Sequence, residues 1–185
     1  MAAQKLVVLG VAAATSGVTA TLILTGHRVI AGLAGAVAGL GLLAGEATLG
    51  PGYVRPRLAA RLLDRVVDAC VLVPLAWTSR SADGHLSLLA LAGLSAAYVA
   101  AYERAKGESL GYRGSEGIGY RGTRVAILVF GLLTGWLEAS LLAFLGLSTS
   151  AAAVRVVNVA RQDRRTATSS VEGSPVATGR RARRW

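Results

Sequence analysis

Residues 60–70 read ARLLDRVVDAC, and they place two carboxylates, Asp64 and Asp68, at the start of an otherwise apolar run. A spacing of four residues puts both side chains on one face of a helix. Ionised groups at membrane depth are costly unless they meet a partner, a cation or water, so the pair predicts a functional site. The alternative is local pairing, because Arg61 and Arg65 each precede one of the two aspartates by three residues.

The composition around this stretch indicates a membrane protein. Of the 185 residues, 53% are hydrophobic and 16% are charged, and the mean hydropathy is +0.52. The apolar residues fall into blocks of roughly 20 residues, the length that a membrane-spanning helix needs. The net charge of +10 comes from basic residues in the loops and the C-terminal tail. This distribution favours anionic lipid headgroups or phosphorylated substrates as partners and argues against nucleic acid.

The blocks predict an all-α, polytopic membrane domain over residues 1–162, followed by a basic, disordered tail over residues 163–185. The first block is interpreted as a membrane helix rather than a signal peptide, because five further apolar blocks follow it. The six predicted transmembrane helices cover residues 5–25, 29–49, 58–77, 85–102, 124–136 and 138–159. Glycine-rich, basic loops are predicted over residues 50–57 and 111–124.

The basic residues also predict the orientation of the helices. Most Arg and Lys residues lie in the two glycine-rich loops and the tail, whereas the opposite loops hold few. The positive-inside rule then places both termini of this multi-pass protein on the cytoplasmic side of the inner (plasma) membrane. The unusual charges fall on the same side and predict a polar cavity open to the cytoplasm; they are Glu46, Asp64, Asp68, Arg104, Lys106, Arg121, Arg124 and Arg155.

Three carboxylates beside a group of arginines suit phosphoryl-type transfer at a membrane surface. Mg²⁺ or Mn²⁺ prefers hard oxygen ligands and would join Glu46, Asp64 and Asp68 to a diphosphate, while the arginines hold a second phosphate. A carboxylate beside the metal would accept a proton from an attacking hydroxyl. A proton-coupled or ion-coupled transporter is the alternative, but these charges cluster near one interface rather than at the midplane.

The aspartate pair resembles part of the signature of the CDP-alcohol phosphatidyltransferases, and most closely that of the actinobacterial phosphatidylinositol phosphate synthases. The family pattern is D-x-x-D-G-x-x-A-R, then eight or nine residues, then G-x-x-x-D-x-x-x-D. Asp64 and Asp68 match its last two aspartates, with Ala60 in place of the second glycine. The first half of the pattern departs further from the family.

In that first half, Glu46 stands where the second aspartate belongs. Leu43 replaces the first aspartate, Ala47 replaces the glycine, and Gly50-Pro51 replaces the Ala-Arg pair. These departures affect residues that the family uses for metal binding and for recognition of the cytidine nucleotide.

The C-terminal half resembles the synthases more closely. Residues 102–111, YERAKGESLG, are similar to the family segment Y-x-K-A-R-A-E-G-L-G, with Arg104 in the lysine position. Arg121 and Arg124 fit the following G-x-x-G-x-x-x-R-x-x-R, and Arg155 opens RVVNV, which resembles the last-helix Q-R-V-x-x-V.

The resemblance implies a homodimeric six-helix enzyme that transfers a phosphatidyl group from CDP-diacylglycerol to a phosphorylated polyol such as inositol phosphate and releases CMP. It implies a Mg²⁺ or Mn²⁺ site and an acceptor-phosphate site, with no other cofactor. The implied metal ligands are Asp64, Asp68 and Glu46, the implied catalytic base is Asp68, and the implied phosphate ligands are Arg104, Arg121 and Arg155. Because the first half of the signature is degenerate, the alternative is a non-catalytic family member that acts as a dimer partner or lipid-binding scaffold.

Overall fold

The computed structural model describes residues 2–47, 54–81, 84–111 and 118–172, with side chains over residues 7–44, 58–81, 84–111, 122–158 and 160. Within these ranges the chain forms six α-helices, so the all-α prediction is confirmed for the described residues. The helices are α1 (Ala2–Leu24), α2 (Arg28–Ala47), α3 (Val54–Ser79), α4 (Gly84–Ser109), α5 (Ile118–Thr134) and α6 (Leu137–Glu172).

Glycines terminate α1 and α5 and allow the next helix to start almost at once. Gly26 has a φ of 85° and Gly135 a φ of 79°, a conformation that residues with a Cβ rarely adopt. After α1, the His27 N–H donates to the Leu22 carbonyl at 2.8 Å and the Gly26 N–H donates to the Ile23 carbonyl at 3.1 Å. This is the Schellman arrangement, which satisfies the last carbonyls of the helix.

Three of the helices are long and apolar enough to cross a membrane. The qualifying stretches are Val7–Leu24, Gly84–Ser109 and Leu137–Asn158. Shorter apolar stretches, Arg28–Ala44 and Gly122–Thr134, lie in α2 and α5. Large apolar side chains such as Leu40 and Leu88 are exposed, which is expected where helices face lipid rather than water. These features agree with a membrane protein.

The helices pack in a ring whose neighbours follow the order α1, α2, α5, α6, α4, α3 and back to α1. Small residues permit the close approaches. A Cβ added at Gly131 of α5 would lie 2.6 Å from the Ser140 Cβ of α6, and one at Gly93 of α4 would lie 3.1 Å from the Phe144 ring. In this order α3 and α5 face each other across the middle of the ring, where both contribute to the main apolar core.

Some helix ends differ from the predicted spans. α4 continues to Ser109, as expected from the charged residues that extend its apolar run. α5 begins at Ile118, inside the predicted glycine-rich loop. α6 runs to Glu172, past the predicted domain boundary at residue 162, because residues 163–172 contain neither glycine nor proline to interrupt it. Residues 173–185 lie outside the described part of the chain.

Candidate functional site

A charged cleft lies at the end of the bundle where α3 begins and α4 ends. Its volume is about 190 Å³. Three of the implied site residues, Asp64, Arg104 and Arg155, line it together. The full lining is Leu58, Arg61, Leu62, Asp64, Arg65, Ala97, Ala100, Ala101, Arg104, Ala105, Arg124 and Arg155.

Two other predicted site residues can be placed only by their backbone. Glu46 lies in the last turn of α2, and Arg121 lies in the first turn of α5. The side chains of both are outside the described residues. Their predicted roles as metal ligand and phosphate ligand therefore stay predictions.

Asp64 and Asp68 are buried carboxylates on α3, each 3% exposed. Arg65, on the same helix, contacts both of them: its Nη2 pairs with the Asp64 Oδ2, and its Nη1 lies 3.2 Å from the Asp68 Oδ2. The same Nη1 donates to the Ala97 carbonyl of α4 at 2.9 Å. The local pairing of Arg65 with Asp68, which the three-residue spacing predicts, is confirmed.

Arg61, the other basic residue near the aspartates, reaches a different helix. Its two terminal nitrogens donate to the Glu108 carboxylate of α4 at 2.7 and 3.2 Å. Both side chains are more than a third exposed. This bidentate pair ties the start of α3 to the end of α4 at the rim of the cleft.

Arg124 supplies the second cation for the buried aspartates. It extends from α5, is 4% exposed, and its Nη2 donates to the Asp68 Oδ2 at 2.5 Å. Its guanidinium carbon lies 4.7 Å from the centre of the Phe144 ring of α6, a cation–π contact that favours a buried cation. The sequence placed Arg124 at the start of a span but gave no signal for this contact, because the partner is 56 positions away.

Arg155 of α6 is held against α4 in the same manner as Arg65. Its Nη1 donates to the Ala100 carbonyl at 2.5 Å. Ala97 and Ala100 are buried and small, so Arg65 and Arg155 can approach their carbonyl oxygens. Each of these oxygens has a second lone pair that the hydrogen bond within the helix does not use. Glu103, one turn further along α4, acts electrostatically on Arg155.

The described side chains supply only part of the implied metal site, because the side chain of Glu46, the third implied ligand, lies outside them. No group of three or more His, Cys, Asp or Glu side chains comes together among them. Asp64 and Asp68 would be the ligands, but the Oδ2 atom of each already contacts a guanidinium group. These two carboxylates and two guanidinium groups sum to zero charge, so at Asp64 and Asp68 a divalent cation would compete with the arginines.

No protein-family model matches the chain, and no curated protein matches it. The functional conclusion therefore depends on what the cleft itself can bind. Its lining carries five arginines and a single carboxylate, that of Asp64. Such a surface is suited to an anion, and a phosphate group matches the fork of guanidinium donors best.

Proposed function

We propose that this chain is a membrane protein of the CDP-alcohol phosphatidyltransferase type whose cleft binds a phosphorylated headgroup without carrying out metal-dependent transfer. The observation that carries the proposal is the excess of arginine over carboxylate in the cleft lining. Asp64 and Asp68 contact Arg65 and Arg124, and Arg61 at the rim pairs with Glu108. Arg104 and Arg155 line the same cleft, and they are the arginines proposed to contact the phosphate of a ligand.

The size of the cleft favours a headgroup over a whole lipid. Its volume, about 190 Å³, is below the range typical of drug-sized ligands, roughly 300–1,000 Å³. Leu58 and Leu62 at its edge are exposed apolar residues, and they suit contact with the acyl part of a lipid whose phosphate enters the cleft. A phosphorylated polyol and the phosphate of CDP-diacylglycerol share the chemistry that this site would recognise.

The second candidate is the active transferase that moves a phosphatidyl group from CDP-diacylglycerol to a phosphorylated polyol. It is favoured by one observation: Asp64, Arg104 and Arg155 line a single cleft. Asp68 accepts a hydrogen bond from Arg124, which also lines that cleft. It would need Mg²⁺ or Mn²⁺ held by Asp64, Asp68 and Glu46, and hence release of both aspartates from their arginines. The ion pairs are the reason for ranking it second.

The proposal includes the membrane arrangement. All six helices cross the plasma membrane, both termini lie in the cytoplasm, and the cleft opens to the cytoplasmic side. α2 and α5 are short spans supported by their neighbours, and α3 carries its charges at the cleft end. A homodimer, as the resemblance implies, would pair two such clefts in one membrane.

Calorimetric titration of the purified protein in nanodiscs tests headgroup binding, with inositol phosphate and CDP-diacylglycerol as the two probes. Arg104→Gln and Arg155→Gln should each weaken binding at least about tenfold, because each removes a charged donor to phosphate. Arg80→Gln is the matched control: Arg80 is exposed near the other end of α3, stacked on Trp77. Equal affinity in all three variants would refute the headgroup site.

A CMP-release assay separates the two candidates. The non-catalytic protein should release no CMP from CDP-diacylglycerol with Mg²⁺ or Mn²⁺ and any of several polyol phosphates, while still binding a probe. Release that Asp68→Asn abolishes would establish the transferase and end the first proposal.

A further inference from the structure

The guanidinium of Arg124 joins three helices of the ring. It enters from α5, contacts Asp68 of α3 on the opposite side, and lies over Phe144 of α6. Arg124 is 4% exposed and Phe144 is fully buried. A cation so enclosed is part of the protein interior rather than a mobile surface group.

Arg65 completes the set by joining Asp64, Asp68 and the Ala97 carbonyl. The Asp68 Oδ2 therefore receives both arginines, one from its own helix and one from across the ring. Four charged groups from α3 and α5, with a backbone acceptor from α4, form what we call the charge cluster: Asp64, Arg65, Asp68 and Arg124.

Helix α2 packs against α5 on both sides of Arg124 in the sequence. Leu43 packs along α5, where its Cδ1 would lie 3.6 Å from a Cβ added at Gly122. Four residues earlier, Gly39 faces Val125 so closely that a Cβ there would collide with it. The tight contact of α2 with α5 fixes the backbone on both sides of Arg124.

We infer that Arg65 and Arg124 are permanent counterions of Asp64 and Asp68 and stand in place of a divalent metal, so that the charge cluster is a metal-independent lock between α3, α4 and α5. Removing one partner from a buried, hydrogen-bonded pair leaves an uncompensated charge, whereas removing both leaves none. The lock therefore predicts strong coupling between Asp68 and Arg124, with no contribution from metal.

Manganese titration followed by electron paramagnetic resonance tests the metal-independent part. After EDTA treatment, the wild-type protein and the Asp68→Asn variant in detergent should bind the same amount of Mn²⁺. The melting temperature of the wild type should be the same in Mn²⁺ and in EDTA. Stoichiometric Mn²⁺ binding that Asp68→Asn abolishes would overturn the inference. Binding that this variant leaves unchanged lies elsewhere on the protein and agrees with it.

A double-mutant cycle tests the lock itself. Asp68→Asn and Arg124→Gln should each lower the melting temperature by at least about 5 °C, while the double variant loses clearly less than the sum. The exposed pair changed by Arg61→Gln and Glu108→Gln is the control and should show little coupling. Additive losses in the buried pair would refute the lock. Should a single variant fail to fold, recovery of folding in the double variant supports it, and failure of all three refutes it.

The results of the Mn²⁺ titration and of the double-mutant cycle do not depend on whether the cleft binds a headgroup. Loss of probe binding in the Arg104 and Arg155 variants concerns residues outside the charge cluster. The two inferences can therefore fail separately.

Discussion

At the residue scale, Arg65 is the side chain on which the most buried charge depends. It contacts two carboxylates that are each 3% exposed, and it also donates to the Ala97 carbonyl. Arg65→Ala should therefore reduce the free energy of unfolding by about 3–5 kcal/mol, the cost of breaking a buried pair by removing one partner. Reversible denaturation in mixed micelles, followed by circular dichroism, measures this loss.

The control for Arg65 lies one turn earlier on the same helix. Arg61→Ala removes an equally large side chain from a pair whose members are 46% and 36% exposed. The expected loss is about 0–1 kcal/mol, because exposed ion pairs are screened by solvent. Similar losses in both variants would contradict the view that burial decides the contribution of each arginine.

The two arginines of the charge cluster differ in whether their contacts with Asp68 could be predicted from sequence. The Arg65–Asp68 pair follows from helical geometry, since residues three apart are neighbours on a helix surface. The Arg124–Asp68 pair does not, because it depends on the packing of α5 opposite α3. The resemblance identified Arg124 as part of a pattern, but only the three-dimensional arrangement shows that its partner is a carboxylate.

At the element scale, Gly39 marks the closest approach of α2 to α5 among the described glycines. A Cβ at Gly39 would collide with Val125, and a β-branched side chain in a helix has little rotational freedom to move aside. Gly39→Ala should therefore lower the free energy of unfolding by about 1–3 kcal/mol, the usual cost of overpacking. The same micelle denaturation measures it.

Gly17 of α1 provides the matched control for Gly39. A Cβ there would meet nothing within 4 Å, so Gly17→Ala should be neutral or stabilise the helix by up to about 1 kcal/mol. Shortening the neighbour with Val125→Ala should restore most of the stability that Gly39→Ala removes. A Gly39→Ala variant as stable as the wild type would show that α2 and α5 pack less tightly than the structure indicates.

Helix existence was predictable from hydropathy, whereas helix length was not. Apolar blocks and the glycines between them predict all six helices, because each block must satisfy its backbone hydrogen bonds within itself if it enters a membrane. The ends of α5 and α6 lie in polar sequence, where hydropathy carries no signal. In α6 the absence of glycine and proline from residues 163–172 lets the helix continue, whereas α5 begins ahead of Gly119 and Gly122, where the glycines predicted a loop.

At the scale of the whole molecule, the two ends of the bundle differ in chemistry. The cleft end carries the charge cluster and the arginines of α4 and α6. The other end carries exposed aromatic residues, Trp77 and Trp136, with Arg80 stacked on Trp77 at 3.4 Å. Tryptophan is enriched at membrane interfaces, and basic residues are enriched on the cytoplasmic side. Because aromatic residues occur at both interfaces, it is the concentration of basic residues at the cleft end that supports the orientation proposed above.

Cysteine labelling in intact cells tests that orientation. Cys70→Ala removes the single cysteine and is the background for two separate variants, Ser81→Cys and Ser109→Cys. Ser81 lies just after α3, and Ser109 lies at the end of α4. Both serines are exposed and sit at opposite ends of the bundle. A membrane-impermeant maleimide should label the Ser81 position in intact cells and the Ser109 position only after permeabilisation, because the positive-inside rule predicts the basic end on the cytoplasmic side. The reverse pattern would place the charged cleft outside the cell, away from any cytoplasmic phosphorylated polyol, and would contradict the proposed ligand together with the orientation.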